Sequence, residues 1–249
     1  MYRFFVEPEN ISGLQVYINA EQTHHIEKVL RLKIGNIIRV FDGQNHEYEI
    51  RLIGKENESL KGEIIQEIKR HAEAPLFLSL VQGISKGDKM ENIIQKAVEI
   101  GVGEIYPLIS QYTVVKMEQE RIGKKKQRWQ SIAREACKQC CRNRIPAIHN
   151  PITFSQMLDL TQGYPAILLY EGEDQRGLKS VLREKAPTFL SASRTFLIIG
   201  PEGGFSPEEA AQAKANNIIT AGLGPRILRT ETAGIVAASI VLYELADLG

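Results

Sequence analysis

Two short stretches near the C-terminus hold the residue types that could do chemistry. One is Gly200-Pro201-Glu202-Gly203-Gly204-Phe205, a carboxylate among glycines; the other is Leu223-Gly224-Pro225-Arg226-Ile227-Leu228-Arg229-Thr230, with two guanidinium groups. Glycine lets backbone N–H and C=O groups approach a ligand with no Cβ in the way. Glu202 has two readings: a general base for a substrate proton, or a structural carboxylate accepting loop N–H bonds. Arg226 and Arg229 divide in the same way, between positioning a phosphate and stabilising an anion that develops during reaction. One Gly/Pro loop is most simply a turn. Two in succession, the second doubly basic, point to a ligand site.

The elements around these loops explain how they would be held. The apolar runs Thr195–Ile199 and 217–221 read as short buried strands. Ser206-Pro207-Glu208-Glu209 has the pattern of a capping box, with Pro at the first helical position, and Thr230 is a plausible N-cap for the last helix. A strand, loop and helix therefore occur twice in a row. Upstream, strands are expected at 76–81, 104–109 and 166–170, and helices at 88–100, 127–141 and 177–183. Strands alternating with helices make an α/β domain with a parallel sheet, whose ligands bind at the carboxyl ends of the strands. Residues 230–245 are apolar on nearly every side, as in a helix buried in a core or a subunit interface.

Residues 1–70 read differently. Strand-like runs at 37–41, 48–53 and 62–68 are separated by turn signals, and 24–32 has the spacing of one short helix, with Ile26, Val29 and Leu30 on its apolar face. The polar, Pro-ended stretch 70–75 serves as a hinge, giving a small β-rich domain at 1–70 and an α/β domain at 76–249.

Composition excludes several classes. The 249 residues are 43% hydrophobic and 24% charged, as in an ordinary globular chain, and no apolar run is long enough to span a bilayer. The first residues lack a signal peptide, so a cytoplasmic protein is expected. Net charge is only +1, but residues 116–144 carry ten Lys/Arg against three Glu, leaving the rest of the chain at −6. That asymmetry suits a polyanion partner or a solvated helix face. Cys137, Cys140 and Cys141 give one C-x-x-C without a second pair, so reduced thiols are expected and no metal. The dinucleotide fingerprint, the phosphate loop and the G-x-S-x-G elbow are all missing.

Ile199-Gly200-Pro201-Glu202-Gly203-Gly204-Phe205-Ser206, followed by Leu223-Gly224 and Arg226-Ile227-Leu228-Arg229 with Glu231-Thr232-Ala233, resembles the RsmE family of 16S ribosomal RNA uridine-N3 methyltransferases, in the SPOUT superfamily. The likeness extends to Lys86-Gly87-Asp88-Lys89-Met90-Glu91, to Glu135-Ala136, Gln139 and Arg142, and to Arg3-Phe4-Phe5 and 25–31 near the start. It implies an N-terminal PUA-like β-barrel and a C-terminal parallel sheet with helices on both faces and a trefoil knot. It also implies a homodimer, S-adenosyl-L-methionine as cofactor, and 16S ribosomal RNA or the small subunit as partner. The cofactor pocket would comprise Leu169, Tyr170, Glu171, Ile199, Gly200, Pro201, Glu202, Gly203, Gly204, Leu223, Gly224, Ile227, Leu228 and Thr232. Arg3, His25, Arg31, Lys86, Lys89, Arg134, Arg142 and Arg226 would contact RNA. Arg229 or Arg226 would stabilise the uridine anion, and Glu202 or Glu231 would accept the N3 proton. The rivals are a methyltransferase for another ribosomal or transfer RNA nucleotide, an α/β enzyme for another nucleotide, and a non-catalytic RNA-binding protein.

Overall fold

The computed structural model describes residues 1–69, 72–114 and 119–248, the side chains at 119–121 excepted. Arg70 and His71 of the expected hinge and Lys116 of the basic stretch lie outside the described residues. The chain divides into two compact units, Met1–Glu73 with Cys137–Ile145, and Ala74–Ala136 with Pro146–Gly249.

The first unit is a curled six-stranded sheet. Its strands are β1 (Arg3–Phe5), β2 (Ile11–Ser12), β3 (Gln15–Ile18), β4 (Ile37–Phe41), β5 (Glu47–Glu56) and β6 (Ser59–Glu67), in the order β1-β4-β5-β6-β3-β2. All pairs are antiparallel except β1 with β4. Alternate residues Val16, Ile18, Ile38, Val40, Ile50 and Leu52 fill its core, joined by Phe4, Ile26 and Leu60. The helix expected at 24–32 is instead α1 (Ala20–His24), running into a π-helical turn at His25–Val29. Leu30 N–H donates to the His25 carbonyl, one residue further back than in an α-helix. That winding shifts the register, so Ile26 is buried and Val29 is 62% exposed.

A sequence reading that runs the second domain uninterrupted from 76 has no place for 137–145 in this unit. Arg3 holds the segment there. Its guanidinium donates to the carbonyls of Cys137 (2.9 Å) and Arg142 (2.8 Å), to Asn143 Oδ1 (2.6 Å) and to Glu47 (3.1 Å). Arg142 in turn pairs with Glu73 at 2.7 Å. Cys137 is buried, which pushes its thiol up to about 12 and keeps it protonated at neutral pH.

The second unit is a parallel sheet of β7 (Leu78–Gly83), β8 (Glu104–Ile109), β9 (Ala147–Ile148), β10 (Ile152–Thr153), β11 (Ala166–Leu169), β12 (Thr195–Ile199) and β13 (Ile219–Ala221). The order is β10-β8-β7-β12-β11-β13, with β9 also paired to β8. The helices are α2 (Lys89–Glu99), α3 (Gln119–Cys140, its last turn belonging to the first unit), α4 (Phe154–Thr161), α5 (Leu178–Ser191), α6 (Pro207–Ala215) and α7 (Thr230–Leu245). They cover both faces of the sheet. Val81, Phe196 and Ile198 pack with Phe154, Met157 and Ala213 of α4 and α6. On the opposite face α7 meets Gln82 and Ile199 through Gly234, with α2 and α5 against it. Helix α5 runs past the expected 177–183 and through Pro187, because Leu182 and Phe189 are both buried and packing outweighs propensity.

Candidate functional site

The loops that follow β11, β12 and β13 meet at the carboxyl ends of adjacent strands, around a cavity of about 950 Å³. Its wall is made of residues 169–174 with Arg176 and Gly177, 199–205 and 222–230, closed by Lys89 of α2 and Ala233 of α7.

Each loop is fastened by identifiable contacts. Gly83, at the end of β7, lies so close to the 200–201 backbone that a Cβ there would come within 2.2 Å of Pro201 N. The Thr230 hydroxyl donates to the Gly200 carbonyl at 2.6 Å and accepts from the Gln82 amide at 2.9 Å. All three groups are buried, and removing the hydroxyl would strand the other two at a cost of about 1–3 kcal/mol. Arg229, not Thr230, is therefore the residue at the N-cap of α7; the Thr230 hydroxyl goes to the 199–205 loop instead of to its own helix. The capping box at Ser206 and Glu209 is present as expected.

Glu173 anchors the 170–177 loop. Its carboxylate accepts from the Thr220 hydroxyl at 2.6 Å and pairs with Lys214 at 2.9 Å. These two partners hold it down to about 2. The Gly222 N–H donates to the Arg176 carbonyl, and Leu178 N–H to the Gly222 carbonyl. A Cβ on Gly222 would meet the Glu173 carbonyl at 2.6 Å. The third loop is different: among the described residues, nothing hydrogen-bonds to the backbone of 223–228. Its residues line the cavity, and their backbone N–H and C=O groups have no partner among the described residues.

Glu202 reaches out of its loop to α2. Its Oε1 accepts the Lys86 N–H at 3.0 Å and lies 3.5 Å from Lys89 Nζ, which is also 3.5 Å from Glu231 Oε2. Burial pushes the Glu202 carboxyl up, but the amide bonds and the Lys89 ammonium outweigh it and hold the group below its usual range. Arg226 and Arg229 are exposed and, among the described residues, in no ion pair. The wall as a whole carries four carboxylates (Glu171, Glu173, Asp174 and Glu202) and four cations (Lys89, Arg176, Arg226 and Arg229), so neither sign dominates.

Most of the expected pocket residues are brought together: Leu169 to Glu171, 199–204, Leu223, Gly224, Ile227 and Leu228 all line the cavity. Thr232 does not. With α7 starting at Thr230, positions 230 and 233 face the cavity and 232 turns to solvent. Gly203 lines the wall, but an added Cβ would strike Tyr112 Cβ at 2.7 Å, so its glycine serves the packing of a neighbouring loop as well as any ligand.

The expected RNA contacts scatter. Lys89 and Arg226 are at the cavity, Lys86 is exposed beside Glu202, and Arg134 is half-buried on α3 with its Nε covered. His25 and Arg31 are exposed in the first unit, Arg31 with a φ of 54°. Arg3 and Arg142 do not fit the expectation, because both guanidinium groups are buried and committed to carbonyls and carboxylates. Sequence reasoning missed Gly172, Glu173, Asp174, Arg176 and Ala233. The first four follow β11 in an acidic run with two glycines nearby, which was the available signal.

Comparison with known proteins gives the same picture. A family model described as an RNA methyltransferase domain matches residues 72–242, and one described as an RNA methyltransferase PUA domain matches 18–65. Ribosomal RNA small subunit methyltransferase E from Bacillus subtilis is 32% identical, covering 98% of this chain and 97% of its own. The protein of that name from Mesomycoplasma hyopneumoniae is 37% identical over 94% and 96% of the two chains. Among solved structures, ribosomal RNA small subunit methyltransferase E from Neisseria gonorrhoeae, bound to S-adenosyl methionine, superposes with a TM-score of 0.87 at 32% identity over the full length of both chains. With a matching catalytic-domain model over more than half its length and relatives aligned from end to end, the chain belongs to the ribosomal RNA small subunit methyltransferase E family.

Proposed function

We propose that this protein uses S-adenosyl-L-methionine to methylate N3 of a uridine in the 16S ribosomal RNA of the small subunit. The observation that carries the reading is the unpaired backbone of 223–228 along a cavity whose wall balances acids and bases. An adenine edge offers donors and acceptors that such N–H and C=O groups match. A ligand with an ammonium, a carboxylate and a sulfonium suits a wall of both signs. The cavity size falls within the range of small-molecule sites.

When bound, the cofactor supplies an activated methyl group on a sulfonium, leaving orientation and electrostatics to the protein. The three loops hold it, with 223–228 on the adenine side of the reading. Uridine N3 carries a proton at neutral pH, and its loss to solvent leaves negative charge on O2, N3 and O4. Arg229, exposed at the cavity and in no ion pair among the described residues, donates to those oxygens; one preorganised donor is worth roughly 10²–10³ in rate. Arg226, earlier in the same loop, positions phosphate. Glu202 serves as the brace between its loop and α2, since its Oε1 already accepts the Lys86 N–H and faces the Lys89 ammonium.

The same reading includes the trefoil knot through 199–230, a homodimer built on α7, and the first unit as a PUA-like grip on RNA. A ribosomal substrate places the work in the cytoplasm. The test has two arms. Calorimetry with S-adenosylhomocysteine should give saturable binding, and none at millimolar concentration overturns the cofactor. Mass analysis of 16S nucleosides from cells with and without the protein should show one 3-methyluridine gained with it; no difference overturns the substrate.

A further inference from the structure

Tyr112 sits on the loop after β8, at the carboxyl end of the sheet, and packs against Gly203 of the cavity wall. Its backbone is firmly held. Residues 110–113 form a turn closed by Thr113 N–H to the Ser110 carbonyl at 3.0 Å, and Ser110 N–H donates back to Thr113 Oγ1 at 2.9 Å. Gln111 N–H donates to Glu209 Oε1 at 2.9 Å, while the other oxygen of that carboxylate closes the cap of α6. The side chain leaves this fixed base next to Gly203, where a Cβ on the glycine would fall 2.7 Å from Tyr112 Cβ. Yet Tyr112 is 43% exposed and, among the described residues, stacks on no other ring.

A lone exposed aromatic on a surface needs no explanation. One whose backbone is fixed beside the wall of a nucleotide-modifying cavity does, because a tyrosine then has only two χ angles to order and presents a large flat face at low entropic cost. Nucleic-acid bases stack on such faces whatever their sequence. We propose that Tyr112 is a stacking residue for the RNA substrate, holding a base of the target strand at the mouth of the cavity and so fixing which nucleotide is presented. The proposal rests on the RNA methyltransferase reading above.

Its test uses the full-length protein and small ribosomal subunits from cells that lack it. Tyr112→Ala should raise KM for subunits about tenfold, the low end of what losing one stacked base costs, with S-adenosylhomocysteine affinity unchanged. Tyr112→Phe keeps the ring and should restore KM to within about twofold of wild type, a rescue that follows from stacking and not from the hydroxyl. Tyr112→Trp should show emission quenched by subunits, above the steady background of Trp129, which is 4% exposed. A wild-type KM in Tyr112→Ala overturns the proposal, as does a Tyr112→Phe variant as impaired as the alanine. Loss of S-adenosylhomocysteine affinity in Tyr112→Ala, matching its loss of activity, would make the residue a brace for Gly203 and likewise overturn it. Should wild type transfer no methyl to subunits, the methyltransferase reading falls, and the quenching of Tyr112→Trp by RNA still decides the stacking.

Discussion

A carboxylate that already accepts a backbone amide and faces an ammonium has little basicity left for a substrate proton. That is the position of Glu202, and it leaves Arg229, with Arg226, as a wall residue free to act on charge. Arg229→Ala is expected to lower kcat by about 10²-fold with KM for RNA little changed, because the lost interaction is made chiefly as the anion forms. Raising the pH should restore part of that rate, since alkali removes the N3 proton unaided. A raised KM with normal kcat would make Arg229 a phosphate contact. Glu173 supports a second expectation. Its folded pKa, about 2, is depressed from the ordinary 4.5 by Thr220 and Lys214. A depressed carboxylate contributes stability that is fully present above its unfolded value and is lost as pH falls through the folded one. Wild type should therefore lose this contribution only between about pH 4.5 and 2, and Glu173→Gln should be less stable at neutral pH and flatter across that window in chemical melts. The types of the site residues were legible in the sequence. Their partners were not, because Lys86 lies 116 positions from Glu202 and Lys214 lies on a different helix from the loop it steadies.

At the scale of elements, local signals read well where the local chain decides the outcome. The capping box at Ser206 depends on four consecutive residues and formed as its pattern required. Ser206→Ala should cost about 1 kcal/mol in denaturant unfolding. It should also disturb 110–113, because Glu209 closes the cap and also accepts the Gln111 N–H of that turn; a cost below a few tenths of a kcal/mol would mean the cap is dispensable. Thr230 has the same residue type advantage but a different fate, since the Gly200 carbonyl, 30 positions away, claims its hydroxyl. Gly203 is similar. Its place in a glycine loop was plain, and the reason a side chain fails there, Tyr112, arrives from the loop after β8. The π-helical turn at His25–Val29 left no trace in the apolar spacing that implied a regular helix.

For the whole molecule, alternation of strand and helix was enough to give the parallel sheet, because hydrophobic period is a property of each segment. The membership of 137–145 in the first unit was beyond reach, as it is fixed by Arg3 at the other end of the chain's numbering. Helix α7 leads to the last expectation. Gly234, Ala237, Ala238, Val241, Leu242 and Leu245 bury one side of it against its own unit. On the other side Val236, Ile240 and Tyr243 recur at i, i+4 and i+7, one continuous stripe. Val236 is 37% exposed and Tyr243 62%. An apolar stripe left uncovered on a helix that otherwise packs tightly is the mark of an interface between copies. Light scattering at micromolar concentration should give twice the 28.0 kDa of one chain. Val236→Glu with Tyr243→Glu would put two like charges into each side of a self-complementary contact, doubled by symmetry. The double variant should fall to one chain while each unit keeps its cooperative unfolding. A wild-type protein that scatters as a single chain would remove α7 from any interface and leave its stripe to be explained within the monomer.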